Sequence, residues 1–404
     1  MSVIKLAFLF NELCLMLKVV IADVVDHTFP DEKLSYRMQE LENLVNTYWW
    51  IVVVEKIQKK WKPDYKTFLG SWKLEEIKLI MQNTWAEILI LWNILKPKQL
   101  YNLNEELKDI KATAWDRVDL ILKIFDLHAK SPEAKLQIEL ASIKHMWPRI
   151  FWMWMELSRQ WGGIWTKWIG ETNTEIMKRH LRKRILQIEE KLKHYEKVRQ
   201  THRKSRKKNW LFTIWIVWYT NAWKSSLLNA LTNKWVLAED KLFATLWTNV
   251  GELFLSPYDL WIEWVVCEWK NCKKVLLSDT IGFIQDLPPS LIKAFKSTLE
   301  DSIESDLLFH VIDISDPWML EKINVVNEIL EEIWANQEKV YIFNKLDLLD
   351  RLSSEEKHKK LMQIKYLNED LWIENWEENK DYFLVSANWK MWLDNIKRFL
   401  YNKF

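Results

Sequence analysis

Glycine is almost missing from this chain, with 6 residues in 404, whereas an ordinary protein carries roughly 7%. Read literally, that scarcity leaves few places where the backbone can take a positive φ or approach a ligand closely. Cysteine is equally sparse, represented by Cys14, Cys267 and Cys272 alone. Three thiols cannot form a disulfide framework, and no further Cys or His cluster completes a metal site around Cys267 and Cys272. Such usage suits a reducing cytoplasm. No unbroken apolar run is long enough to cross a membrane. The stretch from Val3 to Val25 is interrupted by Lys5, Asn11, Glu12, Lys18 and Asp23, and no small-residue cleavage site follows it. That excludes a spanning helix or a leader peptide and leaves a strand near Lys18 to Val25 behind a short extension, with Met16 a candidate start. The expected protein is soluble, cytoplasmic and monomeric. Its net charge of +2 offers no global argument for nucleic acid.

What is abundant is tryptophan, at 28 residues. Glycine and tryptophan together amount to an ordinary glycine content. Tryptophan normally packs in cores, yet here it occupies turn-like places such as Asn209-Trp210, Ala222-Trp223-Lys224 and Asn388-Trp389-Lys390. These positions are read as glycines: a UGA codon translated as glycine by the cell and written as tryptophan by another table produces this pattern. Trp115, beside Asp116-Arg117, is a position where either letter fits.

A chain of 404 residues exceeds what one core organises, so two or three domains are expected. Residues 1–155 mix short apolar runs, such as Ile51 to Val54 and Ile88 to Leu91, with amphipathic stretches, which predicts a small α/β domain. It closes on a helix over Ala134 to His145. Residues 156–209 begin with a loop, Gln160 to Glu171, that is glycine-rich once Trp161, Trp165 and Trp168 are read as glycine. A helix from Thr174 to Lys208 follows, with a stripe of Ile176, Leu181, Ile185, Ile188, Leu192 and Tyr195 at helical spacing. Between Lys178 and Lys208 lie fourteen Lys/Arg against three Glu, so the remainder of the chain is net acidic. This concentration suits an RNA or ribosome contact, or a solvated coiled-coil face. Residues 210–404 alternate strands and helices, the pattern of a doubly wound parallel sheet.

That last region carries the chemistry. An apolar strand, Leu211 to Val217, enters Trp218-Tyr219-Thr220-Asn221-Ala222-Trp223-Lys224-Ser225 and then a helix from Ser226 to Leu231. With Trp218 and Trp223 as glycine this is a P-loop, whose backbone N–H groups wrap phosphates at a helix N-terminus. Lys224 is placed to reach the β and γ phosphates and Ser225 to hold Mg²⁺. The strand Val275 to Ser278 leads to Asp279-Thr280-Ile281-Gly282, an acidic Mg²⁺ partner followed by an N–H that can sense the γ-phosphate. Val340 to Phe343 leads to Asn344-Lys345-Leu346-Asp347; the Asp347 carboxylate can accept from guanine N1 and the exocyclic amine, which adenine cannot offer in that arrangement. Tyr382 to Val385 leads to Ser386-Ala387-Asn388, whose backbone can contact guanine O6. Each tetrapeptide alone is a weak signal. Together, in order and each behind an apolar run, they predict a GTP-binding domain.

These segments, with Ala238-Glu239-Asp240-Lys241-Leu242-Phe243-Ala244-Thr245-Leu246 and the run from Asp279 through Gln285-Asp286-Leu287-Pro288 to Glu300, resemble the HflX family, within the Obg–HflX group of ribosome-associated GTPases. Phe68-Leu69-Gly70-Ser71-Trp72-Lys73 and Asp116-Arg117 through Ala141 are similar to its N-terminal domain. The resemblance implies a first switch at Phe243, Ala244, Thr245, Leu246 and Trp247, with Thr245 on Mg²⁺ and the γ-phosphate and Thr248 as its near neighbour. It implies that the apolar Phe283 replaces the water-orienting glutamine of other GTPases, so hydrolysis is slow until a partner stimulates it. It also implies binding to the large ribosomal subunit and separation of stalled or idle ribosomes. The chain stops soon after Ser386-Ala387-Asn388, so a further C-terminal domain is expected to be absent.

If Trp218 and Trp223 are literal, their side chains obstruct the phosphate wrap, and a nucleotide-blind ribosome- or RNA-binding module is the alternative. A small-molecule P-loop kinase is the third reading, disfavoured by the guanine motif. Mass spectrometry of the native tryptic peptide Asn209 to Lys224 is expected to show glycine at positions 210, 215, 218 and 223; tryptophan masses there would remove the recoding argument.

Overall fold

The computed structural model describes residues 17–129, 131–161, 173–208, 211–219, 224–232, 249–255, 273–279, 283, 305–349, 353–370 and 382–404. The chain divides into two compact units, Met1–Leu192 and Lys193–Phe404.

The first unit is built on four parallel strands, β1 (Lys18–Val25), β2 (Ile51–Lys59), β3 (Ile88–Leu91) and β4 (Thr113–Asp116), in the order β2-β1-β3-β4. The central β1 and β3 are buried almost throughout, as a parallel strand covered on both faces must be, while the edge strand β2 is half exposed. Helices α1 (Asp31–Thr47), α2 (Ser71–Thr84) and α3 (Pro97–Leu107) return the chain between strands, and α4 (Arg117–His128) follows β4. Val20, Ala22, Leu89 and Leu91 pack with Leu74, Ile77, Met81, Leu103 and Leu107 to form one core layer.

Two long helices follow, α5 (Pro132–Trp161), which lies within the first unit, and α6 (Asn173–Lys208), which begins in it and ends in the second. The first runs well past the expected end at His145 and through Pro148. A proline inside a helix removes one backbone hydrogen bond, and the adjacent turn here is anchored by ions. Arg149 donates to Asp119 at 2.7 Å and to the fully buried Asp116, while His145 lies 3.3 Å from Asp119 and 3.4 Å from Asp116. Asp116 also caps α4, accepting from the Asp119 N–H at 3.0 Å while its own N–H donates to the Asp119 carboxylate at 3.1 Å. Although three potential metal ligands converge here, the Arg149 guanidinium already satisfies the carboxylates. The cluster is an ionic clamp between β4, α4 and α5. On α6 the predicted stripe faces inward at Ile188, and Arg184 forms a two-point bridge to Glu139 at 2.6 and 2.7 Å.

Helix ends bear on the tryptophan reading. After α1, Trp49 (φ 65°) donates to the Asn46 carbonyl and Trp50 to Val45. After α2, Trp85 (φ 59°) precedes an Ala86 N–H donated back to Met81. Helix α8 (Met319–Glu332) ends likewise, with Trp334 (φ 62°) donating to Glu331 and Ala335 to Leu330. All three are left-handed caps of the kind that glycine usually fills, because a Cβ there meets the neighbouring carbonyl. Trp85 and Trp334 are 81% and 75% exposed, so little packing offsets the strain there.

The second unit holds a six-stranded sheet of β5 (Phe212–Trp218), β6 (Asn249–Leu255), β7 (Lys273–Asp279), β8 (Leu307–Asp313), β9 (Lys339–Asn344) and β10 (Tyr382–Leu384), in the order β10-β9-β8-β5-β7-β6. Five strands are parallel, as the doubly wound pattern predicts, and the edge strand β6 runs antiparallel to β7. Helices α7 (Lys224–Thr232), α8, α9 (Leu346–Leu349), α10 (Ser354–Asp370) and α11 (Leu393–Lys403) belong to this unit. Ile214, Ile216, Leu227, Leu277, Phe309, Ile342 and Leu400 share its main core. Gly251 on β6 lies so close to α7 that a Cβ would stand 2.8 Å from the Thr232 methyl. Among the described residues, no helix is long and apolar enough to cross a membrane.

Two outcomes follow from these contacts. In a recombinant chain that carries tryptophan, Trp85→Gly and Trp334→Gly should each raise the unfolding free energy by about 1 kcal/mol, measured by urea titration. The clamp should also make stability pH-dependent. Burial opposes charging of His145, yet its bonds to Asp116 and Asp119 raise its pKa above the ordinary value of 6.5. A raised folded-state pKa stabilises fully below the unfolded value and is lost as pH climbs through the folded one. The midpoint of the first unit should therefore fall as pH rises above 6.5, and His145→Gln should flatten that slope.

Candidate nucleotide site

Parallel pairing sets which strand ends meet. In register, Ile216 of β5 pairs with Asp279 of β7, Trp218 of β5 with Val311 of β8, and Asp313 of β8 with Asn344 of β9. The carboxyl ends of these strands therefore line one edge of the sheet, where ligands of open α/β folds bind.

At the phosphate end, β5 exits through Trp218 and Tyr219, both buried. The Phe283 N–H donates to the Trp218 carbonyl at 2.9 Å, and Phe283 bridges Tyr219 in parallel. This bond ties the segment after Asp279 to the start of the phosphate motif. Phe283 itself is buried, with its ring 6.4 Å from that of Trp215 in an edge-on arrangement. Lys224 and Ser225 open α7, and Asp279 closes β7. Thr220, Asn221, Ala222 and Trp223, the switch residues Phe243, Ala244, Thr245, Leu246 and Trp247, and Thr280, Ile281 and Gly282 lie outside the described residues.

At the opposite end, three hydrogen bonds assemble the predicted base motif. The side chain of Asn344 is buried and its Oδ1 accepts from the Ala387 N–H at 3.0 Å. The Ser386 hydroxyl donates to Asp347 Oδ1 at 2.5 Å, and the Trp389 N–H donates to the Ser386 hydroxyl oxygen at 3.3 Å. The backbone joins the two segments as well, through Val385 N–H to the Phe343 carbonyl at 2.8 Å and Leu346 N–H to the Val385 carbonyl at 3.1 Å. Asn344, Asp347, Ser386 and Ala387 thus form one constellation from bonded pairs 39 and 43 residues apart in sequence, with Asn388 exposed beside them. Lys345 has a positive φ of 68°, unusual for a residue that carries a Cβ, and its ammonium lies 2.6 Å from Asp313.

Asp313 is a neighbour that sequence reasoning missed. Its signal is an apolar run, Leu307 to Ile312, ending in Asp-Ile-Ser-Asp-Pro, the same strand-to-turn pattern as the motifs that were read. Below the site, His310 on β8 is fully buried, and burial drives its pKa down to about 3, so it is a neutral core residue.

A phosphate-loop strand and helix, a strand-end aspartate and an Asn-Lys-x-Asp tip on a parallel sheet define the class: a P-loop GTPase. Family models agree along the chain. Residues 35–126 match the "GTP-binding GTPase N-terminal" family, 128–206 the "GTP-binding GTPase Middle Region" and 213–345 the "50S ribosome-binding GTPase" family. Among curated relatives, GTPase HflX of Caldanaerobacter subterraneus is 42% identical over 78% of this chain and 70% of its own length. GTPase HflX of Flavobacterium psychrophilum is 35% identical over 96% and 93%, and that of Escherichia coli 37% identical over 82% and 75%. A solved structure of SsGBP in complex with GDP superposes with a TM-score of 0.51 at 26% identity, covering 95% of this chain and 98% of that one. The chain belongs to the HflX GTPases, enzymes that hydrolyse GTP.

Proposed function

We propose that this GTPase binds Mg²⁺·GTP at the sheet edge, associates with the large ribosomal subunit and separates stalled or idle ribosomes, with hydrolysis to GDP and phosphate allowing release. The observation that carries the nucleotide part is the Asn344–Asp347–Ser386–Ala387 constellation. In it, the Asp347 carboxylate recognises guanine N1 and the exocyclic amine, and the backbone of Ser386, Ala387 and Asn388 faces O6. Residues 218–223 wrap the phosphates, Lys224 reaches the β and γ groups, and the Gly282 N–H senses the γ-phosphate.

Ser225, Thr245 and Asp279 are the metal ligands in this reading. An all-oxygen set suits Mg²⁺, and the pairing of Ile216 with Asp279 supports it by setting the β7 tip beside the P-loop strand. Held by these residues, such an ion would neutralise charge on the β and γ phosphates. Phe283 supports partner-stimulated hydrolysis, because a buried phenyl against Trp215 offers the attacking water no hydrogen bond.

The ribosomal part rests on α6. Arg179, Arg182, Lys183, Lys191, Lys193 and Lys197 are exposed along it, while Arg184 is turned to Glu139. An exposed cationic face of this length suits phosphate backbones. A literal Trp218 at the first P-loop position favours the second reading, a ribosome-binding module that is blind to nucleotide.

Equilibrium titration should show binding of GTP and GDP and none of ADP, with Asp347→Ala abolishing the preference. Phosphate release should accelerate when purified large subunits are added, and subunit binding should weaken with salt at roughly 0.9 log units per log unit of salt for each phosphate contacted. Subunit-independent phosphate release would exclude the ribosomal role. Failure to bind either guanine nucleotide would favour the nucleotide-blind module.

A further inference from the structure

We infer that Asp313 is a positioning residue for guanine-nucleotide binding, acting through Lys345. The inference rests on the nucleotide site proposed above and adds a residue to it. Asp313 ends β8 and pairs in register with Asn344, so its backbone is held by the strand that carries the base motif; the next residue, Ile314, donates its N–H to the Asn344 carbonyl at 3.1 Å. Both carboxylate oxygens are committed. Oδ1 accepts from the Ser315 N–H at 2.9 Å and the Ser315 hydroxyl at 2.6 Å, which locks the side-chain rotamer. Oδ2 lies 2.6 Å from the Lys345 ammonium, and the two side chains are each only 16% exposed.

Lys345 is where such a hold is needed. Its left-handed backbone disfavours an L-residue, and its long stem has many rotamers to lose on ordering. A fixed, half-buried carboxylate at the end of the stem selects one path for it, and this path lies next to Asn344 and Leu346, whose neighbours make the base constellation. The same turn reaches the phosphate end. Asp316 pairs with Lys322, whose ammonium stands 4.9 Å over the Tyr219 ring, and Lys360 donates to the Asp316 carbonyl. The turn from Asp313 to Asp316 thus braces both the residue after Asn344 and the first variable residue of the P-loop. A surface ion pair of similar distance would contribute little; a partly buried pair with a locked carboxylate loses more when one partner is removed.

The test is a mutant cycle on the full-length protein with fluorescent GDP and steady-state GTP hydrolysis. Asp313→Asn keeps the shape and removes the charge. It should weaken GDP binding about tenfold and raise KM for GTP by a similar factor with kcat at saturation little changed, since the phosphate end is intact. Lys345→Met should weaken binding at least as much, and the double variant should be no weaker than Lys345→Met alone. Asp313→Glu, which keeps the charge, should recover part of the loss. Additive effects of the two substitutions would overturn the inference, as would an Asp313→Asn variant that lowers the unfolding midpoint of the nucleotide-free protein and leaves KM unchanged. If Lys345→Met itself leaves GDP affinity unchanged, the base-site reading fails along with it, and that outcome is distinct from loss at Lys345 with none at Asp313.

Discussion

Parallel pairing of β5 with β7 and β8, and of β8 with β9 and β9 with β10, is the constraint on which the second unit depends. In a parallel ladder every strand leaves the sheet on the same edge, so each motif that follows a strand is delivered there without further design. The start of the phosphate motif, Asp279, the Asn-Lys-x-Asp tip and the Ser-Ala-Asn segment are separated by tens of residues in sequence, and each follows a strand that leaves the sheet on that edge. The core beneath them, from Ile214 and Ile216 through Phe309 and Ile342, resists any slip of that register, since a one-residue shift would turn buried side chains outward.

The same logic gives the first unit its shape, though with a different means of holding the parts. There the carboxyl end of β4 is Asp116, a residue that caps α4, receives Arg149 from α5 and faces His145. A single buried carboxylate joins a strand, the helix that follows it and a helix further along the chain. Removing one member would leave buried charge uncompensated, which is costlier than the bridge is stabilising. The long helices then contribute a solvent-facing row of cations and an inward stripe centred on Ile188.

Backbone conformation bears on composition. Trp49, Trp85 and Trp334 sit in left-handed helix caps, and the indoles of Trp85 and Trp334 stand largely in solvent, an unfavourable setting for a large residue and the ordinary setting for glycine. Trp215 and Trp218, by contrast, are buried in β5, so burial alone does not separate the two kinds of site. The chemistry of the caps and the resemblance of the P-loop lead to one interpretation by independent routes.

Much of this protein is legible in its residues. The apolar runs 18–25, 88–91, 275–278 and 340–343 became strands at nearly those bounds, because each is a short, β-rich run bounded by turn residues. The motifs behind them named the nucleotide because guanine recognition needs a carboxylate at a strand tip, and this is a local pattern. Three features were decided only in the folded chain. The antiparallel β6 depends on which edge it joins, and α5 continues through Pro148 because Arg149 finds two carboxylates on other elements. Asp313 meets Lys345 because β8 and β9 lie side by side. Each depends on pairing between residues distant in sequence, and no single segment encodes which partner it will have.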